Sequence, residues 1–160
     1  GGSISDPALV ATLGGSESSS AWAAPMPTEG NSSCGAKCEF GYARGRLHAG
    51  IDYGGYGSGS DPDGVFAASD GVVDYAQNNG PGYGNLVIIK RSDGWQSYYA
   101  HLAEIGVQSG QQVKQGQRVG KRGNTGGDFD IHLHFEIRDA GDQPRDPREF
   151  LPKPQIPMAG

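Results

Sequence analysis

The ten residues from Asp130 to Asp139, DIHLHFEIRD, alternate apolar and polar side chains, which is the pattern of a half-buried β-strand. Successive side chains on a strand point to opposite faces, so residues two apart share a face. The apolar face, predicted to lie against a core, holds four residues: Ile131, Leu133, Phe135 and Ile137. The other face carries His132, His134 and Glu136. Two histidines there are either the solvent side of the strand or part of a metal or catalytic site, and the strand by itself does not decide between them.

Short β-type runs separated by glycine turns continue from Phe40 onward, and helix-period patterns are nearly absent. Asp70-Gly71 joins GVFAAS to GVVDYAQ, and Ser92-Asp93-Gly94 joins NLVIIKR to WQSYYAHL. These runs predict an all-β domain of antiparallel hairpins, a β-sandwich or flattened barrel, with a substrate groove bordered by loops. The segment DPREFL, residues 146–151, predicts a single helical turn near the C-terminus.

The domain boundaries follow from composition. Residues 1–39 are rich in Ser, Gly and Ala and are predicted to be a linker or tail of irregular structure. Residues 40–151 form the predicted domain, and residues 152–160 a C-terminal tail. The glycine-rich stretch 54–64 has no following helix pattern, so we expect a mobile surface loop beside the groove rather than a phosphate-binding loop.

Charge and hydropathy exclude two classes of partner. The formal net charge is −5 and the sequence has no basic cluster, which argues against nucleic acid as a partner. No apolar run approaches the ~20 residues that span a bilayer, so membrane insertion by this domain is not expected. We expect a monomer.

The cysteines, Cys34 and Cys38, stand close together in CGAKC. In an oxidising compartment the intervening glycine would let them close a small disulfide loop. Two free thiols are the alternative. A zinc half-site is disfavoured because a second Cys or His pair is missing nearby.

Histidines and carboxylates supply a candidate metal site. His48 and Asp52 form an H-x-x-x-D pair around Ala-Gly, and they can converge on one ion if the backbone bends there. With the H-x-H pair they offer two imidazoles and one carboxylate, the ligand set of a catalytic zinc with a fourth position open for water. His101 ends the run SYYAHL; it is either a cap on a core strand or a general acid/base or oxyanion group. For Glu136 we expect an exposed salt bridge with an arginine rather than a contact with an imidazole.

The segments HAGID, YYAHL and HLHFEIR, in this order, resemble the lysostaphin-type (LytM-like) zinc metallo-endopeptidases, which cleave peptide bonds in bacterial peptidoglycan. A similar glycine framework accompanies them in AASDGVV, GYGNLVIIK and VKQGQRVGKRGNTG. The resemblance runs from about Leu47 to Leu151. One departure is GGDFDI before the H-x-H strand, where family members often have a short segment such as Gly-Pro. This departure implies a reshaped groove wall.

The resemblance assigns a role to each matching residue. It implies one zinc ion per chain held by His48, Asp52 and His134, with His101 and His132 as non-ligand catalytic residues. It also implies a peptidoglycan peptide substrate and a secreted or cell-envelope location, in the periplasm or cell wall. The alternative is a non-catalytic module of the same fold that regulates other cell-wall enzymes. The bond cleaved, a glycine bridge or a direct crosslink, stays open.

Overall fold

The computed structural model describes residues 22–26, 39–43, 45–54 and 60–152. Cys34, Cys38 and residues 55–59 of the glycine-rich stretch lie outside the described residues, so the disulfide and the mobile loop stay predictions. The described strands are β1 (Gly41–Ala43), β2 (Arg46–His48), β3 (Ile51–Tyr53), β4 (Gly64–Phe66), β5 (Gly71–Asn78), β6 (Asn85–Lys90), β7 (Gln96–Ala100), β8 (Leu102–Ile105), β9 (Gln112–Val113), β10 (Arg118–Arg122), β11 (Leu133–Arg138) and β12 (Pro144–Arg145). A 3₁₀ helix, Pro147–Glu149, confirms the single turn expected in DPREFL.

Three antiparallel sheets form within the described ranges, which confirms the all-β prediction. The largest has the order β12-β11-β7-β6-β5-β9, and β3 also pairs with β11. A second sheet has the order β4-β10-β8, and β1 pairs with β2. Among the described residues these sheets do not close into a barrel, so the two larger sheets resemble the predicted sandwich instead.

The predicted hairpins are partly correct. β6 and β7 pair antiparallel across the Ser92-Asp93-Gly94 turn, as expected. β4 and β5 flank Asp70 but do not pair, because β4 joins β10 in the smaller sheet while β5 pairs with β6 and β9. The intervening residues 67–69 are buried and carry the chain from one sheet to the other.

One apolar core fills the space between the two larger sheets. Val65, Leu102 and Val119 come from the smaller sheet, and Tyr99 and Phe135 come from the larger one. Burial of each large apolar side chain stabilises the fold by about 1.5–3 kcal/mol. The apolar face of β11 therefore holds the strand in register, since a slip of one residue would expose it.

The apolar alternation predicted for DIHLHFEIRD is wrong at its first position. Leu133, Phe135 and Ile137 are fully buried, but Ile131 is 56% exposed. The strand begins at Leu133, so Ile131 lies in the preceding loop, outside the region where the pleat directs side chains into the core.

Part of the predicted N-terminal linker contributes to the core. Trp22 and Met26 are buried among the core side chains, although their backbone is irregular as expected. The Ala23 N–H donates to the Ala68 carbonyl at 2.8 Å, and the Pro25 carbonyl accepts from the Phe66 N–H at 2.8 Å. This segment packs against the domain, and the domain boundaries stay a prediction.

Candidate metal centre

The second face of β11 carries the predicted site, and it is buried rather than exposed to solvent. His134 and Glu136 alternate with the core residues of the strand, as the sequence indicated. His134 is 8% exposed and Glu136 is 1% exposed. The register places Ala100 opposite His134 and Tyr98 opposite Glu136 on this face. Ala100 and Tyr98 belong to a cluster with Leu86, Ile88 and Tyr83, and the Tyr83 hydroxyl contacts Glu136.

A close approach of two backbones brings the H-x-x-x-D pair to β11. His48 ends β2 and Asp52 lies in β3, which pairs antiparallel with β11 so that Asp52 stands opposite His134. Gly50 lies between them against the Phe135 carbonyl, where a Cβ atom would collide with the backbone. The chain bends at Gly50, as expected at Ala-Gly. Only glycine fits there, because any side chain would collide with the backbone of Phe135.

The three predicted ligand residues converge. One ligand atom from each of His48, Asp52 and His134 lies within 4.8 Å of the others. Asp52 Oδ1 is 3.3 Å from His48 Nε2 and 2.9 Å from His134 Nδ1. A tetrahedral zinc with bonds of ~2.0–2.1 Å places its ligand atoms about 3.3 Å apart. The donor set and its spacing therefore fit a zinc ion.

Charge in this cluster is distributed by hydrogen bonds. Burial opposes ionisation of Asp52, but hydrogen bonds from His134 and His48 outweigh it and hold the pKa of Asp52 well below its usual range. The same bond to Asp52 raises the pKa of His48. Burial lowers the pKa of His134, while the Asp52 and Glu136 carboxylates together raise it to about 9. In the absence of metal, protons thus hold the cluster together, and a cation would replace them.

His48 presents a defined nitrogen to the cluster. Its Nδ1 lies 2.8 Å from the Glu39 carbonyl oxygen, which can only accept, so Nδ1 carries the hydrogen. The lone pair of the neutral ring is then on Nε2, the nitrogen that faces Asp52. Glu39 is held in turn by Arg148, whose Nε donates to its carboxylate at 2.6 Å.

The two predicted catalytic histidines lie beside the cluster. The rings of His101 and His132 are 4.7 Å apart between centroids, and His132 Nε2 is 3.9 Å from Asp52 Oδ1. Each ring donates from Nδ1 to a backbone carbonyl, His101 to Thr125 at 2.9 Å and His132 to Asp130 at 2.8 Å. In both rings Nε2 is therefore the nitrogen available for chemistry.

His101 occupies a turn between two strands. It separates β7 from β8 and has φ of 63°, a left-handed conformation in which histidine is enriched relative to most residues. Its N–H donates to the Tyr83 carbonyl at 2.8 Å, which fixes the turn. Burial, with smaller contributions from His132 and His134, lowers the pKa of His101 to about 4. The ring is uncharged at neutral pH.

An open cleft of about 550 Å³ leads from solvent to these largely buried groups; its lining residues are Arg46, His48, Asp52, Pro81, Gly82, Tyr83, His101, Phe129, His132 and His134. Phe129 comes from the GGDFDI segment, and its ring lies 4.5 Å from that of His101 between centroids. A Cβ atom on Gly127 would meet the Phe129 ring at 2.6 Å, so this glycine permits the aromatic side chain to fold back. The departure noted in the sequence therefore does form part of a groove wall.

Glu136 was interpreted incorrectly from the sequence. It does pair with an arginine, since Arg138 Nη2 lies 2.8 Å from its Oε1, but the pair is not exposed. Its Oε2 lies 2.8 Å from His134 Nε2 and accepts from the Tyr83 hydroxyl at 2.6 Å. The alternation did place Glu136 on the site face of the strand, but no local signal indicated the depth of its burial.

A His–Asp–His cluster at the base of an open cleft, on a fold of antiparallel sheets, is typical of a metal-dependent hydrolase. The sequence profile of peptidase family M23 matches residues 46–147, which include the ligand cluster and both additional histidines. The chain belongs to this peptidase family, and the resemblance found in its motifs is confirmed.

Two relatives show the range of proteins that carry this domain. Cell division protein DipM of Caulobacter vibrioides is 38% identical over 144 residues, covering 81% of this chain and 24% of that protein. Murein hydrolase activator NlpD of Escherichia coli is 43% identical over 96 residues, covering 60% of this chain and 25% of that protein. The chain thus spans about a quarter of the length of each relative.

Two solved structures share the fold. A zinc-containing peptidase from Vibrio cholerae superimposes with a TM-score of 0.64 and 27% identity, covering 86% of this chain and 41% of that one. The catalytic domain of the antimicrobial peptidase lysostaphin from Staphylococcus simulans gives 0.58 and 30% identity, covering 70% and 86%. This chain is therefore similar in fold to peptidases, one of which contains zinc.

Proposed function

We propose that this domain is a zinc-dependent endopeptidase that hydrolyses peptide bonds in the stem peptides or crossbridges of bacterial peptidoglycan. The observation that carries the proposal is the convergence of two groups of residues on one cleft. His48, Asp52 and His134 offer a zinc ion three ligands, and His101 and His132 lie beside them with Nε2 available. Membership of peptidase family M23 supports the same chemistry.

His48, Asp52 and His134 would hold the zinc ion, which would supply a Lewis acid able to polarise a carbonyl and to lower the pKa of bound water towards neutrality. The lowered pKa of His101, about 4, keeps its Nε2 unprotonated at neutral pH, so the lone pair is available to accept a hydrogen bond from water. We assign proton transfer and stabilisation of the developing charge to His101 and His132, without specifying which histidine performs which task. One accepts the proton of the attacking water, and the other stabilises the oxyanion or protonates the leaving amine.

The location in the cell envelope, predicted from the sequence, agrees with the relatives, because one is a cell division protein and another activates murein hydrolases. None of the described residues forms a helix long and apolar enough to span a bilayer. We propose that the domain meets its substrate through the cleft and that it acts as a monomer, without nucleic acid as a partner.

A non-catalytic regulator of other murein hydrolases is the second candidate. The similarity to NlpD, a murein hydrolase activator, favours this candidate. A regulator of this kind would bind its target through a surface and would need neither zinc nor His101. The retention of both the ligand set and the two additional histidines in this chain favours catalysis.

Digestion of purified sacculi separates the two candidates. The zinc-loaded protein is incubated with sacculi, alone or with a murein amidase, and the released fragments are identified by mass spectrometry. A peptidase opens peptide crosslinks without the amidase and leaves the glycan intact. An activator releases material only when the amidase is present. New reducing sugar ends would contradict a peptidase.

His101→Asn is the matched control for this digestion, because asparagine tolerates the left-handed backbone that residue 101 adopts. The substitution removes the imidazole but leaves the predicted ligands unchanged. If crosslink cleavage is lost in this variant, the activity takes place in the cleft that His101 lines. Cleavage that persists at full rate would show that His101 is not needed and would contradict the role proposed for it.

A further inference from the structure

Glu136 lies beneath His134 and contacts the ring nitrogen that points away from Asp52. Its Oε2 is 2.8 Å from His134 Nε2, and the residue is 1% exposed. A carboxylate buried this deeply needs hydrogen-bond donors around it, because an unpaired buried charge is strongly unfavourable. Those donors fix the position of the carboxylate relative to the His134 ring.

Two side chains besides His134 hold the carboxylate in place. The Tyr83 hydroxyl donates to Oε2 at 2.6 Å, and Arg138 Nε donates to Oε1 at 2.9 Å. The guanidinium of Arg138 lies over the Tyr98 ring, with its central carbon 4.3 Å from the ring centroid. Both oxygens of Glu136 are therefore occupied by donors, and its position is fixed from two sides.

This arrangement determines where the hydrogen of the neutral His134 ring resides. Asp52 and Glu136 are both carboxylates that accept hydrogen bonds, so without metal both nitrogens of His134 carry a hydrogen. A cation in the ligand cluster would take the place of the hydrogen on Nδ1, whereas Glu136 retains the hydrogen on Nε2, which leaves the lone pair of the neutral ring on Nδ1. Nδ1 is the nitrogen that lies 2.9 Å from Asp52 within the ligand cluster. The contact with Glu136 thus directs the ligand lone pair towards the metal position.

We propose that Glu136, held by Tyr83 and Arg138, is the positioning residue of the metal centre: it fixes His134 as the Nε2–H tautomer and strengthens zinc binding at Nδ1. The proposal rests on the zinc site of the proposed function but does not require hydrolysis. Among the described residues Glu136 does not line the cleft and has no hydrogen bond to His48 or Asp52, so it acts on the ligand cluster through His134.

Glu136→Gln tests this role with almost no change in size. If the Gln oxygen faces His134, the amide nitrogen opposes the Arg138 donors; if the amide nitrogen faces His134, it favours the Nδ1–H tautomer, which cannot bind metal. Both orientations weaken the site. We expect zinc affinity, measured by competition with a chromogenic chelator, to fall ~10–100-fold, as for other partners of metal-bound histidines.

The matched control is Glu104→Gln, the same substitution at an exposed position of β8. Zinc affinity of this variant should equal that of the unsubstituted protein. Melting of the metal-free proteins is recorded in parallel, because a merely structural role of Glu136 would lower thermal stability without a selective loss of zinc affinity. Glu136→Gln that binds zinc as tightly as the control would overturn the proposal.

A second measurement does not depend on the folding of any variant. In the zinc-loaded, unsubstituted protein, ¹⁵N-edited imidazole spectra should show His134 with a slowly exchanging hydrogen on Nε2. A hydrogen on Nδ1 would overturn the proposal whatever Glu136→Gln does. A protein that binds zinc with this signature but leaves sacculi intact would refute the proposed peptidase activity and leave the role of Glu136 standing.

Discussion

His134 and His101 face one cleft, with ring centroids 5.8 Å apart, yet their pKa values move in opposite directions. Burial lowers both. At His134 the carboxylates of Asp52 and Glu136 outweigh burial and raise the pKa to about 9. At His101 the Thr125 carbonyl contributes little, and burial lowers the pKa to about 4. The difference follows from the hydrogen-bond acceptor. The carboxylates beside His134 suit a ring whose proton a cation can replace, whereas the carbonyl beside His101 leaves that ring neutral.

The largest effect is expected for His134→Ala. This variant removes one of three ligands, so bound zinc should fall from about one ion per chain to near zero, with activity lost. Metal analysis of protein purified without chelators measures the zinc content. Partial recovery of activity at high added zinc would agree with a weakened site. An inactive variant that still binds one zinc ion per chain would show that His134 is not a zinc ligand.

His101→Asn should separate catalysis from metal binding. The variant should keep its zinc, because His101 is not in the ligand cluster, while the rate of crosslink cleavage falls ~10²–10⁴-fold. Zinc content and initial rate are measured on the same sample. Zinc loss from both this variant and His134→Ala would make His101 a fourth ligand, and full activity would remove it from the mechanism.

The stability of the metal-free domain should depend on pH with opposite signs for the two rings. The folded pKa of His101, about 4, is below the unfolded value of ~6.5, so the unfolded state binds more protons and stability falls as pH decreases through this window, by up to roughly 3 kcal/mol. The folded pKa of His134 is raised to about 9, so its contribution is present below ~6.5 and is lost as pH rises through about 9.

Melting curves across pH measure this difference. His101→Asn should flatten the acid side of the stability profile, and His134→Ala should flatten the alkaline side. Two variants that alter the same side of the profile would show that the two histidines do not differ in the way the hydrogen bonds indicate.

The smallest effect is expected at the groove wall. Gly127→Ala should displace the Phe129 ring from His101, because the new methyl group would lie 2.6 Å from the ring. We expect the rate of crosslink cleavage to change several-fold and stability to fall by about 1 kcal/mol, since the exposed ring can move. Gly141→Ala, whose methyl group would make only an ordinary 3.4 Å contact with Asp139, is the control. Equal rates for the two variants would show that the packing of Phe129 on His101 does not matter.

The parts of the molecule that follow local patterns could be predicted from the sequence. Period-two alternation identified β11 and its two faces, glycine turns identified the β6–β7 hairpin, and H-x-x-x-D with H-x-H identified the cluster. The pairing of β4 could not be predicted, because the choice between β5 and β10 depends on a chain crossing buried between two sheets. A strand carries no local mark of the sheet it joins.

The sequence by itself determined the residue types at the site, the faces they occupy and the family to which the chain belongs. Only the tertiary structure decided that Ile131 lies outside the core, that Glu136 is buried under His134, and that Tyr83 and Arg138 secure it. The physical reason is that burial and hydrogen-bond partners are set by residues distant in the chain, such as the 53 positions that separate Tyr83 from Glu136. The polar character of Glu136 favoured solvent, and the donors that make its burial tolerable become adjacent only when the strands pair.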